Sequence, residues 1–300
     1  MIIDTTKLNV LLKKAKISKS DLCKILSISS RTLAKIAKEE DISKSVINKL
    51  TNFFNIEIAD IVKCNNIYNT LLNEKNLKLS GGLYHETQIR LTYNSNHIEG
   101  SALSEEQTRY IFETQTIGDL SINVKLDDII ETNNHFKCID YCIDCAKANL
   151  NEKFILSLHE ILKSGTNQAE FYGTGCYKKY PNTVGGRETI SPENIKVEMK
   201  KLLYWYNKIK KVNLEDIIEF HYKFECIHPF QDGNGRVGRL IMFKECLKNN
   251  IVPCYIDDRF KAQYYNGLNK YSEDKNFLIE TCKFGQDLYK QLLDYFKVEY

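Results

Sequence analysis

The stretch Ile227-His228-Pro229-Phe230-Gln231-Asp232-Gly233-Asn234-Gly235-Arg236-Val237-Gly238-Arg239 gathers residue types that could work on a phosphorylated compound. Gly233 and Gly235 let the backbone turn with its N–H groups exposed, which makes a nest for an anion. The helical pattern that follows aims its positive dipole end and unpaired N–H groups at the same point. Arg236 and Arg239 are three residues apart and so project from one face of its first turn. Two guanidiniums above an N–H nest would cradle a polyphosphate. Asp232, at the lip, is a hard oxygen donor suited to a Mg²⁺ ion that bridges phosphates. His228, just before the turn, could take a proton from an incoming hydroxyl. Phe230 is expected to turn inward and pin the loop. Each feature alone has a plainer reading (a buried histidine, a surface glycine turn, two solvated arginines), but their crowding argues for a site. Gly233-x-Gly235-x-x-Gly238 also satisfies the dinucleotide fingerprint. That fingerprint requires a preceding strand in a βαβ unit, and here a helical pattern precedes it.

Two helical stripes must hold this loop: Ile217, Ile218, His221, Phe224 and Ile227 before it, and Val237, Leu240, Ile241 and Leu247 after it. From Gly82 to Tyr300 the pattern is almost wholly helical, so the fold class is all-α. The exception is Gly173 to Pro192, rich in Gly, Pro and Thr, with Val184-Gly185-Gly186 at a turn; it reads as a hairpin or extended flap. No strands alternate with helices, so no parallel sheet is expected. The organisation expected is a small module over 1–65, a helical linker over 66–90 and a large helical domain over 91–300.

Charge separates the first module from the rest. Residues 1–65 hold 12 Lys+Arg and 7 Asp+Glu, net +5, while the remainder is net −2. This module shows the pattern of five short amphipathic helices: Leu8, Leu11 and Leu12; then Leu22, Ile25 and Leu26 after Ser18; then Leu33 and Ile36 after the turn Ser27-Ile28-Ser29; then Ile47, Leu50 and Phe54; and a closing one with Ile56, Ile58 and Ile61. With a tight turn between the second and third, the stretch Ser18 to Val62 resembles the Cro/repressor type of helix-turn-helix domain. The resemblance implies DNA as a partner and a homodimer as the working form. Ser30, Arg31, Thr32 and Lys35 on the third helix would face bases, and Ser29, Ser30 and Lys24 phosphates. The alternative is a helical bundle used for protein contacts.

Hydrophobic residues make up 43% of the 300-residue chain, enough for a core and too many for a disordered one. No apolar run approaches the length of a membrane span, and the N-terminal stretch lacks the plan of a signal peptide. A cytoplasmic protein without a membrane partner is therefore expected, with its ten cysteines reduced. Cys138, Cys142 and Cys145 have the spacing of an iron–sulfur motif, but they are i, i+4, i+7 on one helical face and read as core. His85, His97, His135, His159 and His221 show no metal-ligand spacing.

The His228–Arg239 stretch resembles the signature of the Fic family, His-x-Phe-x-(Asp/Glu)-Gly-Asn-Gly-Arg-x-x-Arg, at every fixed position. The wider resemblance runs from about Gly82 to Phe284. It implies a helical core with a β-hairpin flap and the transfer of AMP from ATP, with Mg²⁺, to a Ser, Thr or Tyr hydroxyl of a protein, this chain itself being one candidate target. His228 would be the base and Asp232 the Mg²⁺ ligand. Gly233, Asn234 and Gly235 would form the phosphate nest, with Val237 and Gly238 in the same loop and Arg236 and Arg239 on the triphosphate. The related Doc toxins, which phosphorylate, replace the second Gly and the first Arg of this loop; the chain keeps both. Thr183, Val184, Gly185 and Gly186 fall where the family has the flap that pairs with the target's backbone. Tyr264 and Tyr265 fall where it lines the adenine pocket. Ser272 stands where relatives often carry an Asn that reads adenine. Ser95-Asn96-His97-Ile98-Glu99-Gly100 resembles the family's inhibitory motif, in which Glu99 would pair with Arg239 and take the place of the ATP γ-phosphate; Ser95 and Gly100 complete that motif. Two alternatives stay open: removal of AMP at the same site, and a transcriptional regulator that senses nucleotide.

Overall fold

A computed structural model describes residues 1–38, 40–62, 66–118 and 123–300, apart from the side chain of residue 59. Cys64 lies outside the described residues. The first module contains α1 (Thr5–Ala15), α2 (Lys19–Leu26), α3 (Ser30–Ala37) and α4 (Lys44–Phe54). The starts of α1, α2 and α3 follow from capping chemistry. The Asp4 carboxylate accepts the N–H groups of Thr6 and Lys7, Ser18 and Asp21 form a capping box, and Ser29 accepts the N–H of Thr32. Ser27, at φ 50°, turns the chain out of α2. Leu8, Leu22, Ile36, Ile47, Leu50 and Ile61 are buried together in one apolar cluster.

The fifth segment is not an α-helix. Ile58–Asp60 forms a single 3₁₀ turn, and Ile61 closes the core through chain pairing instead. Ile3 and Val62 make an antiparallel bridge, and Asp4 N–H donates to the Ile61 carbonyl. A run this short cannot sustain an α-helix.

The larger body runs through α5 (Ile67–Leu77), α6 (Leu83–Ile98), α7 (Glu105–Thr114), α8 (Leu126–Asp144), α9 (Glu152–Lys163), α10 (Asn167–Tyr172), the strands β1 (Thr183–Val184) and β2 (Arg187–Glu188), then α11 (Ile195–Asn207), α12 (Leu214–Ile227), α13 (Asn234–Asn249), α14 (Lys261–Lys270) and α15 (Asn276–Tyr295). The expected spacer over 66–90 is instead part of this body: Ile67, Leu71 and Leu83 are buried in its apolar core. α13 is central and packs against α12, α8, α9 and α6. Cys138 and Cys142 are fully buried in the same core, where their thiols face the carbonyls of Leu158 and Leu240. Among the described residues no helix is long and apolar enough to cross a membrane.

β1 and β2 pair antiparallel, Val184 opposite Arg187. The turn residues Gly185 and Gly186 both take positive φ, 57° and 78°, as a type I′ hairpin requires. α14 and α15 approach closely at Gly267, where an added Cβ would lie 2.9 Å from the Leu278 backbone. Backbone cannot step aside as a side chain can, so Gly267→Ala should cost about 1–3 kcal/mol of stability. Denaturant titration checks this; an unchanged midpoint contradicts it.

Candidate active site

α12 ends at Ile227, and His228 follows in the left-handed region at φ 50°. The loop to α13 is held from within. The Asn234 side chain accepts the Phe230 N–H at 2.8 Å and donates to the Phe230 carbonyl at 2.9 Å. Phe230 is fully buried, and its ring stacks flat on His159 at 3.9 Å. His159 Nδ1 accepts the Gly175 N–H, so its proton sits on Nε2 and donates to the Asp232 carbonyl at 3.2 Å. Burial pushes this imidazole down to about 4, which keeps it neutral. Gly233, at φ 81°, makes the bend before α13.

The loop arginines are both taken by carboxylates. Arg239 donates from Nη2 to Glu99 Oε1 at 2.7 Å and to the Ser95 carbonyl at 2.9 Å, and from Nε to Ser95 Oγ at 3.0 Å. Glu99 sits at the end of α6, where Gly100 leaves the helix at φ 96°. A Cβ on Gly235 would overlap the Glu99 carboxylate, so that carboxylate lies directly against the first turn of α13. Burial alone would raise the Glu99 carboxyl, but the Arg239 and Arg236 guanidiniums outweigh it and hold it below its ordinary range.

Arg236 is buried as deeply as Arg239, each side chain 5% exposed. Its Nη1 bonds Glu131 of α8 and its Nη2 lies 3.3 Å from Asp232 Oδ2. Lys163, at the end of α9 and 4% exposed, also bonds Glu131 and reaches Asp232 Oδ2 at 2.5 Å. Burial works to raise the Asp232 carboxyl, and Arg236 and Lys163 lower it further than burial raises it. Both cations use the same oxygen of a carboxylate whose side chain is 40% exposed. One hard carboxylate beside the start of α13 is a donor of the kind that suits Mg²⁺, which is usually held by one or two carboxylates together with substrate phosphates. Val237 and Gly238 are buried in α13; a Cβ on Gly238 would strike His221 and Glu225.

His228 is mostly buried, its side chain 15% exposed. Its Nδ1 has no hydrogen-bond partner and lies 4.0 Å from Glu225 Oε2, leaving Nε2 for a reacting group. Burial first and the Lys178 ammonium second push His228 down to about 4, so the ring is a free proton acceptor at neutral pH. Beside it a cavity of about 490 Å³ opens between the hairpin and α14, lined among others by Val184, Gly185, Tyr222, Tyr265, Leu268 and Asn269. Thr183, Val184, Gly185 and Gly186 are exposed.

The tyrosine pair divides. Tyr265 lines the cavity, but Tyr264 does not: it is 1% exposed, and its hydroxyl lies 2.6 Å from His221 Nε2 and receives Arg239 Nη1 at 3.4 Å. Neighbours on a helix point about 100° apart, so they cannot share one wall. Asn269 lines this cavity and Ser272 does not. In the first module Ser30, Arg31 and Lys35 are exposed on α3, while the Thr32 hydroxyl lies 2.8 Å from Ser29 Oγ. Glu131, Lys163, Asn269 and Lys178 carry no signal in the sequence, because each reaches the site from a helix or segment remote from the loop.

A helical body with a short hairpin over a glycine-turned helix start, behind a capped helix-turn-helix, defines the class of protein. Residues 149–246 match the Fic/DOC family, and residues 7–66 match the Cro/C1-type HTH DNA-binding domain. A segment with the Fic/DOC pattern thus follows one with the Cro/C1-type helix-turn-helix pattern. It is similar to the protein adenylyltransferase Fic of Drosophila mojavensis, 27% identical over 215 residues, covering 68% of this chain and 41% of the relative. The Aedes aegypti protein of the same name is 28% identical over 213 residues, covering 68% and 42%. The chain thus spans about two-fifths of the length of these curated relatives. In fold it is similar to a Fic domain containing signaling protein of Bacteroides thetaiotaomicron, with TM-score 0.61 and 24% identity, covering 76% of this chain and 91% of that one. Fic-1 of C. elegans gives TM-score 0.58 at 20% identity, covering 89% and 77%.

Proposed function

We propose that this chain is an ATP-dependent protein adenylyltransferase held in a braked state by Glu99, with a DNA-binding module at its N-terminus. The observation that carries the reading is the Glu99 carboxylate on Arg239, seated against Gly235 at the anion-binding end of α13. A carboxylate bound there marks a site made for a negative group. In the reaction, a target hydroxyl attacks the α-phosphorus of ATP, the bond from that phosphorus to the bridging oxygen breaks, and pyrophosphate leaves. His228 Nε2 takes the hydroxyl proton. The backbone around Gly233 and Gly235 and the guanidinium of Arg239 hold the phosphates once Glu99 withdraws. Arg236, anchored on Glu131, adds positive charge from behind and fixes Asp232. A divalent cation on Asp232, Mg²⁺ in this proposal, would neutralise phosphate charge. The cavity under the hairpin receives the base, with Tyr265 against its face and the Asn269 amide at its edge. The exposed hairpin holds a target segment by strand pairing.

The test is intact-mass spectrometry after incubation of the Glu99→Gly variant, in which the brake is removed, with each nucleoside triphosphate and Mg²⁺. A gain of one AMP from ATP supports the proposal; no adduct from any nucleotide on any protein refutes it. For the first module, Arg31→Ala and Lys35→Ala should each weaken specific DNA binding by about 1–3 kcal/mol and relax its sequence preference, while Lys24→Ala should lower the salt slope by about one. Fluorescence anisotropy across a salt series checks this; absent or salt-insensitive binding contradicts the DNA assignment.

A further inference from the structure

Lys178 lies outside every motif and is 5% exposed. Its N–H donates to the carbonyl of Pro229, the residue after His228, at 2.9 Å. Its Nζ donates to Asn182 Oδ1 at 2.6 Å and Thr189 Oγ1 at 2.5 Å, one on each side of the hairpin. Thr189 Oγ1 also bonds the Asn182 carbonyl at 2.9 Å. Asn182 Nδ2 in turn donates to the Phe230 carbonyl at 3.3 Å, the same atom that receives Asn234. The Lys178 side chain thus clamps the two feet of the hairpin to each other, and its N–H together with the clamped Asn182 amide ties them to the main chain of the catalytic loop.

A neutral side chain could make such a staple. Lys178 brings a charge, and among the described residues it forms no ion pair with a carboxylate. Burying an ammonium without a counter-charge is costly, and burial pushes this one down to about 8. The charged groups acting on His228 show what the charge does. Glu225 stands 4.0 Å away, but burial pushes its carboxyl up to about 8 and leaves it largely uncharged at neutral pH; the charged carboxylates acting on the ring are Glu99 and Asp232, and the cation among them is Lys178. The carboxylates favour a proton on the imidazole and Lys178 opposes it.

We propose that Lys178 is a positioning residue that docks the hairpin on the catalytic loop and keeps His228 in its proton-accepting form. The proposal rests on the transferase reading above, and its test separates the two. Lys178→Met and Lys178→Arg are made in the Glu99→Gly background. In Lys178→Met, tryptic cleavage after Arg187 should quicken at least about tenfold as the hairpin loosens. The acid limb of its pH–rate profile should move up by about one unit, because loss of a nearby cation raises the imidazole. Lys178→Arg should keep both close to the parent. Lys178→Gln, which keeps a donor and drops the charge, serves if Lys178→Met does not fold, and its acid limb should move likewise. An acid limb that stays put in the neutral variants refutes the electrostatic role; an unchanged cleavage rate in Lys178→Met refutes the docking role. If the Glu99→Gly parent transfers nothing from ATP, the transferase reading fails separately and the cleavage rate alone decides the docking.

Discussion

Glu99→Gly should raise ATP-dependent self-modification on the order of 10- to 100-fold over the parent. The Arg239 guanidinium makes three of its hydrogen bonds to the α6 end, to Glu99 Oε1, Ser95 Oγ and the Ser95 carbonyl. Removing Glu99 deletes the charged partner and leaves the two neutral ones. The cation then stays in place and gains a vacancy for a phosphate. Its own proton is never at issue, because a guanidinium stays charged in a protein interior. The carboxylate also leaves the space against Gly235, so the N–H groups at the start of α13 become available. Incorporation of label from α-labelled ATP measures the effect. Equal incorporation in mutant and parent would show that Glu99 is an ordinary ion pair and not a brake.

His228→Ala, made in the Glu99→Gly background, should lower the rate of AMP transfer by about 10²- to 10⁴-fold, the usual range for loss of a positioned base. ATP binding should change little, because the phosphate contacts come from the Gly233–Arg239 segment. Filter binding of labelled ATP alongside the transfer assay tells the two apart. A pH profile adds a second check. Burial and Lys178 hold the ring near 4, so protonation silences it only below about pH 5, and the rate should be flat from there to neutrality. A midpoint near the ordinary histidine value of about 6.5 would mean that the ring sits in a more open setting than this structure gives it.

The loop was legible in the sequence because its chemistry is contiguous. Glycines that must turn, a helix start and arginines one turn apart are all fixed by local rules. The Glu99–Arg239 contact spans 140 positions, and only the family resemblance pointed to it. Lys163, Glu131 and Lys178 were invisible for a physical reason. A lysine inside a helical stripe looks the same whether it meets solvent or, as Lys163 does, two carboxylates in the interior. Tyr264 and Tyr265 show the limit on a helix: adjacent rings diverge, and which one meets the cavity depends on how α14 is rotated. In the fifth segment of the first module Ile58 and Ile61 have helical spacing, but the run is too short to form an α-helix. The stretch 66–90 reads as a helical linker, yet Ile67, Leu71 and Leu83 are buried in the core of the larger body.

The central claim is that the turn around Asn234 grips a triphosphate beside an unprotonated imidazole. A crystal structure of Glu99→Gly with ATP and Mg²⁺ bound tests it directly. It should place the triphosphate on the backbone of Gly233 to Gly235, with Arg239 on the terminal phosphate and the α-phosphorus facing His228. Saturating nucleotide found elsewhere, or a bare turn with Arg239 still held by Ser95 alone, would contradict it.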